Sequence, residues 1–118
     1  MHKILFLLTI ILLSQPVAIR AQESPQVLGY GVKGCDHYNH SYNGWQEGQG
    51  DHIAEYIHYR DWLTGLVTGL SLATGTDVLK GVDVKGAMRR IQLYCDEHPT
   101  DDFFTASMDL IRLLSNLK

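Results

Sequence analysis

Two cysteines sixty residues apart, Cys35 and Cys95, constrain this chain more than any other feature. What they can do depends on the compartment, and the first residues bear on that. Met1, His2 and Lys3 make a short positive start, and residues 4–13, ILFLLTIILL, form an apolar run. A run of that length suits a secretory signal and is about half of what a bilayer-spanning helix requires. Ser14, Gln15 and Pro16 break it, and "AIRA" ends on the small residue Ala21, so residues 1–21 are expected to be a signal peptide cleaved after Ala21. No cysteine follows the run within the signal, which argues against lipid attachment. The mature chain of 97 residues is then periplasmic or secreted, where thiols oxidise. A single pair of cysteines admits one pairing, Cys35 with Cys95. Closing a loop of that size contributes about 4 kcal/mol in the chain-entropy model, a large share of the stability of so small a domain.

Loss of Lys3 and Arg20 with the signal leaves eight basic residues against thirteen acidic ones, a net charge of −5 with histidines neutral. Phosphate backbones require a positive footprint, so nucleic acid is excluded as a partner class, and anionic membrane surfaces are disfavoured. Acid reverses the balance. With carboxylates protonated and the five mature histidines charged, the chain carries about 13 positive charges.

Residues 22–34, QESPQVLGYGVKG, hold a proline and three glycines without a period, and read as an extended arm. Residues 35–118 read as one helical domain. Cys35, Tyr38, Tyr42 and Trp45 are spaced three, four and three apart, one face of a short first helix. GQGD (residues 48–51) is a turn, with Asp51 the expected N-cap of a longer second helix over residues 52–73. Tyr56, Tyr59, Leu63, Leu66 and Leu70 form its stripe, widened by Ile57 and Val67. Gly65 and Gly69 inside it cost about 1 kcal/mol each relative to alanine, and suggest either a notch for close packing or a break. After turn chemistry at residues 73–77 and 80–83, with a short helical turn between them, Asp83 is the expected cap of a third helix reaching Cys95. Val84, Ala87, Met88, Ile91 and Tyr94 or Cys95 are its apolar positions, and Pro99 ends it. Thr100 is the expected cap of a fourth, with Asp101 and Asp102 in its first turn and Phe103, Phe104, Ser107, Met108, Leu110, Ile111, Leu114 and Leu117 on its apolar face. The expected fold class is all-α, four to five helices, with no strand alternation and no internal repeat.

The chemistry concentrates at YCDEHP (residues 94–99) and CDHYNH (residues 35–40). As a nucleophile Cys95 would have to stay reduced beside a base such as His98, whereas an exported pair oxidises by default. As zinc ligands, Cys35, Asp36, His37, His40, His52, His58, Cys95 and His98 match no zinc spacing, and using both thiols would forfeit the cross-link. A histidine-only site from His37, His40, His52 or His58 is the remaining metal alternative, set against polar histidines on helix surfaces. Glu55, Asp61, Asp83, Asp96, Glu97, Asp101 and Asp102 have simpler roles as caps and solvated faces. Asn39 opens an NHS glycosylation sequon. There is no phosphate loop and no G-x-S-x-G elbow. Neither catalysis, nor a cofactor, nor a metal is expected.

The stretch GVDVKGAMRRIQLYCDEHPTDDFFTA (residues 81–106) resembles the HdeA family of acid-stress chaperones: a Val-Asp-Val-x-Gly helix start at residues 82–86, then Cys95, Pro99 and Phe103 or Phe104. YGVKGC and DWLTGLVTGL look like the first-cysteine segment and the tryptophan–glycine helix of related exported proteins. Rap1a-type immunity proteins are similar in this helix and in the Cys-x-x-x-Pro step, but usually carry more cysteines. The resemblance spans roughly residues 30 to 115 and implies a small helical body with one disulfide. For function it implies a non-catalytic protein-binding module that loses native packing or dimer contacts in acid and exposes apolar surface to other proteins. The alternative is an immunity protein or inhibitor acting on one exported toxin or cell-wall hydrolase. The partners expected are unfolded periplasmic clients or that one target, and a homodimer is compatible with either.

Overall fold

The computed structural model describes residues 24–117, so the signal-peptide expectation for residues 1–21 lies outside the described residues. A 3-10 turn over Gly29–Val32 is followed by four helices: α1 (Cys35–Gln46), α2 (Gly50–Thr74), α3 (Val84–Glu97) and α4 (Phe103–Ser115). An isolated antiparallel bridge between Gly34 and Asp102 is the only β pairing among the described residues. The all-α expectation holds.

Each helix starts and stops for a local reason. Asp83 caps α3 by accepting a hydrogen bond from the Gly86 N–H at 2.6 Å, as its position before the apolar pattern predicts. The cap of α4 is Asp102, which accepts from the Thr105 N–H at 2.7 Å, and not Thr100. Thr100 sits in the turn after Pro99 that closes through Asp101 N–H to His98 O. Asp51 likewise lies in the first turn of α2 and is not its cap. The helix opens two residues earlier than expected, at Gly50 behind Gln49, without a side-chain cap. α2 ends at Gly75, which takes the left-handed conformation (φ 70°) that glycine adopts without steric cost.

Three helices meet at one aromatic centre. Tyr38 from α1, Tyr59 from α2 and Phe103 from α4 are fully buried, with ring centroids 4.7 to 5.0 Å apart. Aromatic contacts of this kind add about 0.5 to 1.5 kcal/mol each beyond area burial. Two buried phenols are tolerable only with partners for their hydroxyls. Tyr38 donates to Met88 O at 2.7 Å, and Tyr59 OH is hydrogen-bonded to His37 Nδ1 at 2.5 Å. Ala87, Met88, Ile91 and Cys95 complete the core from α3. Trp45 lies half-buried at its edge, stacked on Tyr56 at 3.9 Å.

Three sequence expectations change. The segment before Cys35 is not simply extended: its 3-10 turn packs on α2 and α4, and Tyr30 joins the aromatic cluster edge-on to Tyr59. Gly65 and Gly69 neither break α2 nor admit a packed neighbour, since a Cβ at either would meet nothing within 4 Å. Only Tyr56, Tyr59 and Leu63 of the α2 stripe are buried, and Leu66 and Leu70 stay half-covered, because the bundle does not extend along the second half of the helix. The turn after α2 supplies core residues instead. Asp77 accepts from the N–H groups of Leu79 and Gly81, and the resulting loop buries Val78 and Leu79.

Candidate functional site

Cys35 begins α1 and Cys95 lies in the last turn of α3. Their sulfurs form one disulfide, with Cα atoms 4.9 Å apart and both residues buried. No free cysteine remains among the described residues, so Cys95 is a staple between α1 and α3 and is not available as a nucleophile. The rest of YCDEHP builds a helix exit. Tyr94 donates to Asp101 Oδ2 at 2.5 Å, and that bond, with burial adding to it, pushes its phenol up to about 12. His98 stacks on the Tyr94 ring at 4.0 Å, and its Nδ1 donates to Tyr94 O. Asp96 accepts from Asn39 Nδ2 at 2.8 Å and from Gln92, tying α1 to α3. The same bond occupies the Asn39 amide nitrogen on which a glycan would be built.

The other histidines lie on seams between elements. His37 on α1 faces α2, where its Nε2 stands 3.9 Å from Glu55 Oε2. Glu55 also accepts from Tyr30 OH at 3.1 Å, so one carboxylate faces both the N-terminal arm and α1. His40 on α1 stands edge-on to His52 on α2, with centroids 4.7 Å apart. His58 stacks on Tyr30, and the Lys33 ammonium lies over the same ring, 4.6 Å from its centroid. No group of three or more His, Cys, Asp or Glu side chains is arranged to hold a metal among the described residues. His37, His40, His52 and His58 are therefore brought to the same two seams without forming a ligand set.

The most distinctive surface is one that sequence reasoning treated only as a helix stripe. Val27 and Leu28 of the arm, Trp62, Gly65 and Leu66 of α2, and Phe104 of α4 line a groove of about 560 Å³. Trp62 Nε1 donates to Leu28 O at 2.9 Å, which holds the arm against the helix. Leu28 is 73% exposed, and farther along α2 Leu72 is 80% exposed. Residues 62–76 carry no charged side chain, and Asp61 at the edge is the one charge lining the groove. The absence of charge over fifteen residues was readable in the sequence; that the bundle leaves this half of the helix uncovered was not. No helix of the described residues is long and apolar enough to cross a membrane.

Comparison of the chain with family models, with curated proteins and with solved structures returns no match.

Proposed function

We propose that this protein is an exported, non-catalytic binding module for other proteins, acting as an HdeA-like acid-stress chaperone in the periplasm or outside the cell. The observation that carries this reading is the apolar groove of Val27, Leu28, Trp62, Leu66 and Phe104, which Asp61 alone lines with a charge. Contiguous exposed apolar surface on a small domain marks an interaction site. With a single charge at its edge, such a surface accepts unrelated apolar segments rather than one complementary partner.

Acid acts on the seams beside it. Imidazoles gain a proton and carboxylates lose their charge as the pH falls. The imidazoles of His40 and His52 face each other across α1 and α2 at a ring separation of 4.7 Å. Glu55 faces both Tyr30 and His37, with Asp36 the other carboxylate near Tyr59 in the same region. His58 and the Lys33 ammonium both lie against the Tyr30 ring. The positive charge that the whole chain gains in acid adds repulsion across these seams and weakens the attachment of α1 and the arm to α2. The Cys35–Cys95 bond keeps α1 joined to α3, so the body opens without dispersing.

The test is suppression of aggregation of an unrelated client by purified mature protein at about pH 2 to 3, where carboxylates are protonated. Suppression is expected, with Leu28→Ser and Leu72→Ser weakening it. No suppression, from a domain whose near-UV circular dichroism persists in acid, removes the chaperone reading. If the protein instead captures one defined exported toxin or hydrolase at neutral pH, the Rap1a-type immunity alternative takes its place. Sedimentation at neutral and acid pH reports whether a homodimer forms and whether it survives.

A further inference from the structure

We infer that Tyr59, His37 and Glu55 form a one-electron donor site, in which the buried phenol gives its electron to an oxidant at the surface and its proton to His37. The oxidant class is a one-electron acceptor such as an oxygen-centred radical. The inference goes beyond the client-binding reading and does not rest on it.

Two phenols share the core, and their partners differ in chemistry. Tyr38 and Tyr59 are both fully buried, and each packs on the other and on Phe103. Tyr38 donates to the backbone carbonyl of Met88 at 2.7 Å, and a peptide oxygen is not a base. Tyr59 OH stands 2.5 Å from Nδ1 of His37, a ring nitrogen that can keep a proton. The phenol donates there, which leaves the ring N–H at Nε2. Nε2 faces Glu55 Oε2 at 3.9 Å, and that oxygen is buried with no hydrogen-bond partner among the described residues. Tyr30 OH holds the other oxygen, donating to Glu55 Oε1 at 3.1 Å. Phenol, imidazole and carboxylate therefore stand in the order of a proton donor, its base and the group that orients the base.

Burial decides what this relay can do. Tyr59 has no exposed surface, so no substrate reaches its oxygen for nucleophilic or acid–base work. An electron needs no such access. The Tyr59 ring is edge-on to half-buried Tyr30 at 4.9 Å. It also reaches half-buried Trp62 through Phe103, with successive centroids 4.8 and 5.7 Å apart. Two aromatic routes thus join the site to the surface.

The step balances within these residues and the oxidant. One electron passes from the Tyr59 ring to the oxidant, the phenol O–H bond breaks, and an N–H bond forms at His37 Nδ1. The products are a neutral tyrosyl radical, a protonated imidazole beside Glu55, and the oxidant reduced by one electron. A reductant such as ascorbate returns the electron, and Nδ1 returns the proton. Tyr30 and Tyr94 also donate to carboxylates, but their rings are partly exposed, where radicals couple with other molecules. The Tyr59 ring is enclosed by Tyr30, Tyr38 and Phe103, so its radical is the one that persists.

The test uses the full mature chain at neutral pH, with photogenerated oxidised tris-bipyridyl ruthenium as the one-electron acceptor. Transient absorption and electron spin resonance follow the tyrosyl radical. A persistent radical is expected, formed more slowly in deuterated water because the O–H bond breaks in the same step. Tyr59→Phe should abolish it, whereas Tyr38→Phe and Tyr94→Phe should leave it in place. His37→Gln should slow its formation by roughly a hundredfold, the usual contribution of a positioned base. Near-UV circular dichroism checks that each variant is folded. Should His37→Gln fail to fold, the solvent isotope effect in the unaltered protein and the Tyr59→Phe result decide, since both leave His37 in place. A persistent radical that survives Tyr59→Phe overturns the inference, as does a formation rate indifferent to deuterated water. Indifference to His37→Gln in a folded variant does the same, and the His37 bond is then only a partner for a buried hydroxyl.

Discussion

Gly31 and Gly44 are glycines because the fold leaves no room for a Cβ. At Gly31 a Cβ would overlap the Trp62 ring, and at Gly44 it would overlap the His52 ring, so each residue lets an aromatic side chain lie on bare backbone. Gly31→Ala and Gly44→Ala are each expected to cost about 1 to 3 kcal/mol, since the obstructing rings are held by packing. Gly65 and Gly69 are the reverse case. With open space around both, Gly65→Ala and Gly69→Ala should each stabilise the isolated protein by about 0.4 to 1 kcal/mol through the unfolded chain and helix propensity. Urea denaturation of the four variants checks both signs. In the sequence these four glycines looked alike or misleading: the pair four apart suggested close packing, whereas the demanding ones stood in a coil and in a weak helix. The distinction depends on residues 31 and 8 positions away along the chain, Trp62 and His52, and local pattern carries no information about them.

At the scale of elements, the helices were legible because amphipathic spacing and turn residues act over a few positions. α3 was read closely, with Asp83 at its start and Pro99 beyond its end. The exchange of Thr100 for Asp102 as the α4 cap has a tertiary cause. Phe103 N–H donates to Lys33 O and Cys35 N–H to Asp101 O, and this crossing of the arm holds Asp102 in extended backbone, so the helix begins later. Asp83→Ala and Asp102→Ala are therefore expected to lose about 1 kcal/mol each, and Thr100→Ala close to nothing, in thermal melts. The arm was the least legible element, because its attachments are a backbone carbonyl, a phenol and a buried glycine rather than a periodic apolar face.

For the whole molecule, the staple and the buried tyrosines set the stability. Reduction of Cys35–Cys95, or the double variant to serine, should cost about 4 kcal/mol and lower the melting temperature sharply, as read by calorimetry with and without reductant. Alkali should act through the phenols. Burial raises Tyr38, Tyr59 and Tyr56 above the ordinary tyrosine range, burial with the Glu55 bond raises Tyr30, and the Asp101 bond with burial takes Tyr94 to about 12. In each case the native group holds its proton when the unfolded one has released it. That stability is complete below about pH 10 and is lost as the pH climbs through the native values. Melting temperatures should fall across this range, and tyrosinate absorbance should rise together with loss of the near-UV spectrum. Cross-link and helix identity were written in cysteine count and spacing, which are properties of short stretches or of the chain's totals. Which glycines matter, where the arm lies, and which apolar faces stay open were decided by the tertiary structure, because each depends on what distant elements cover and what they leave uncovered.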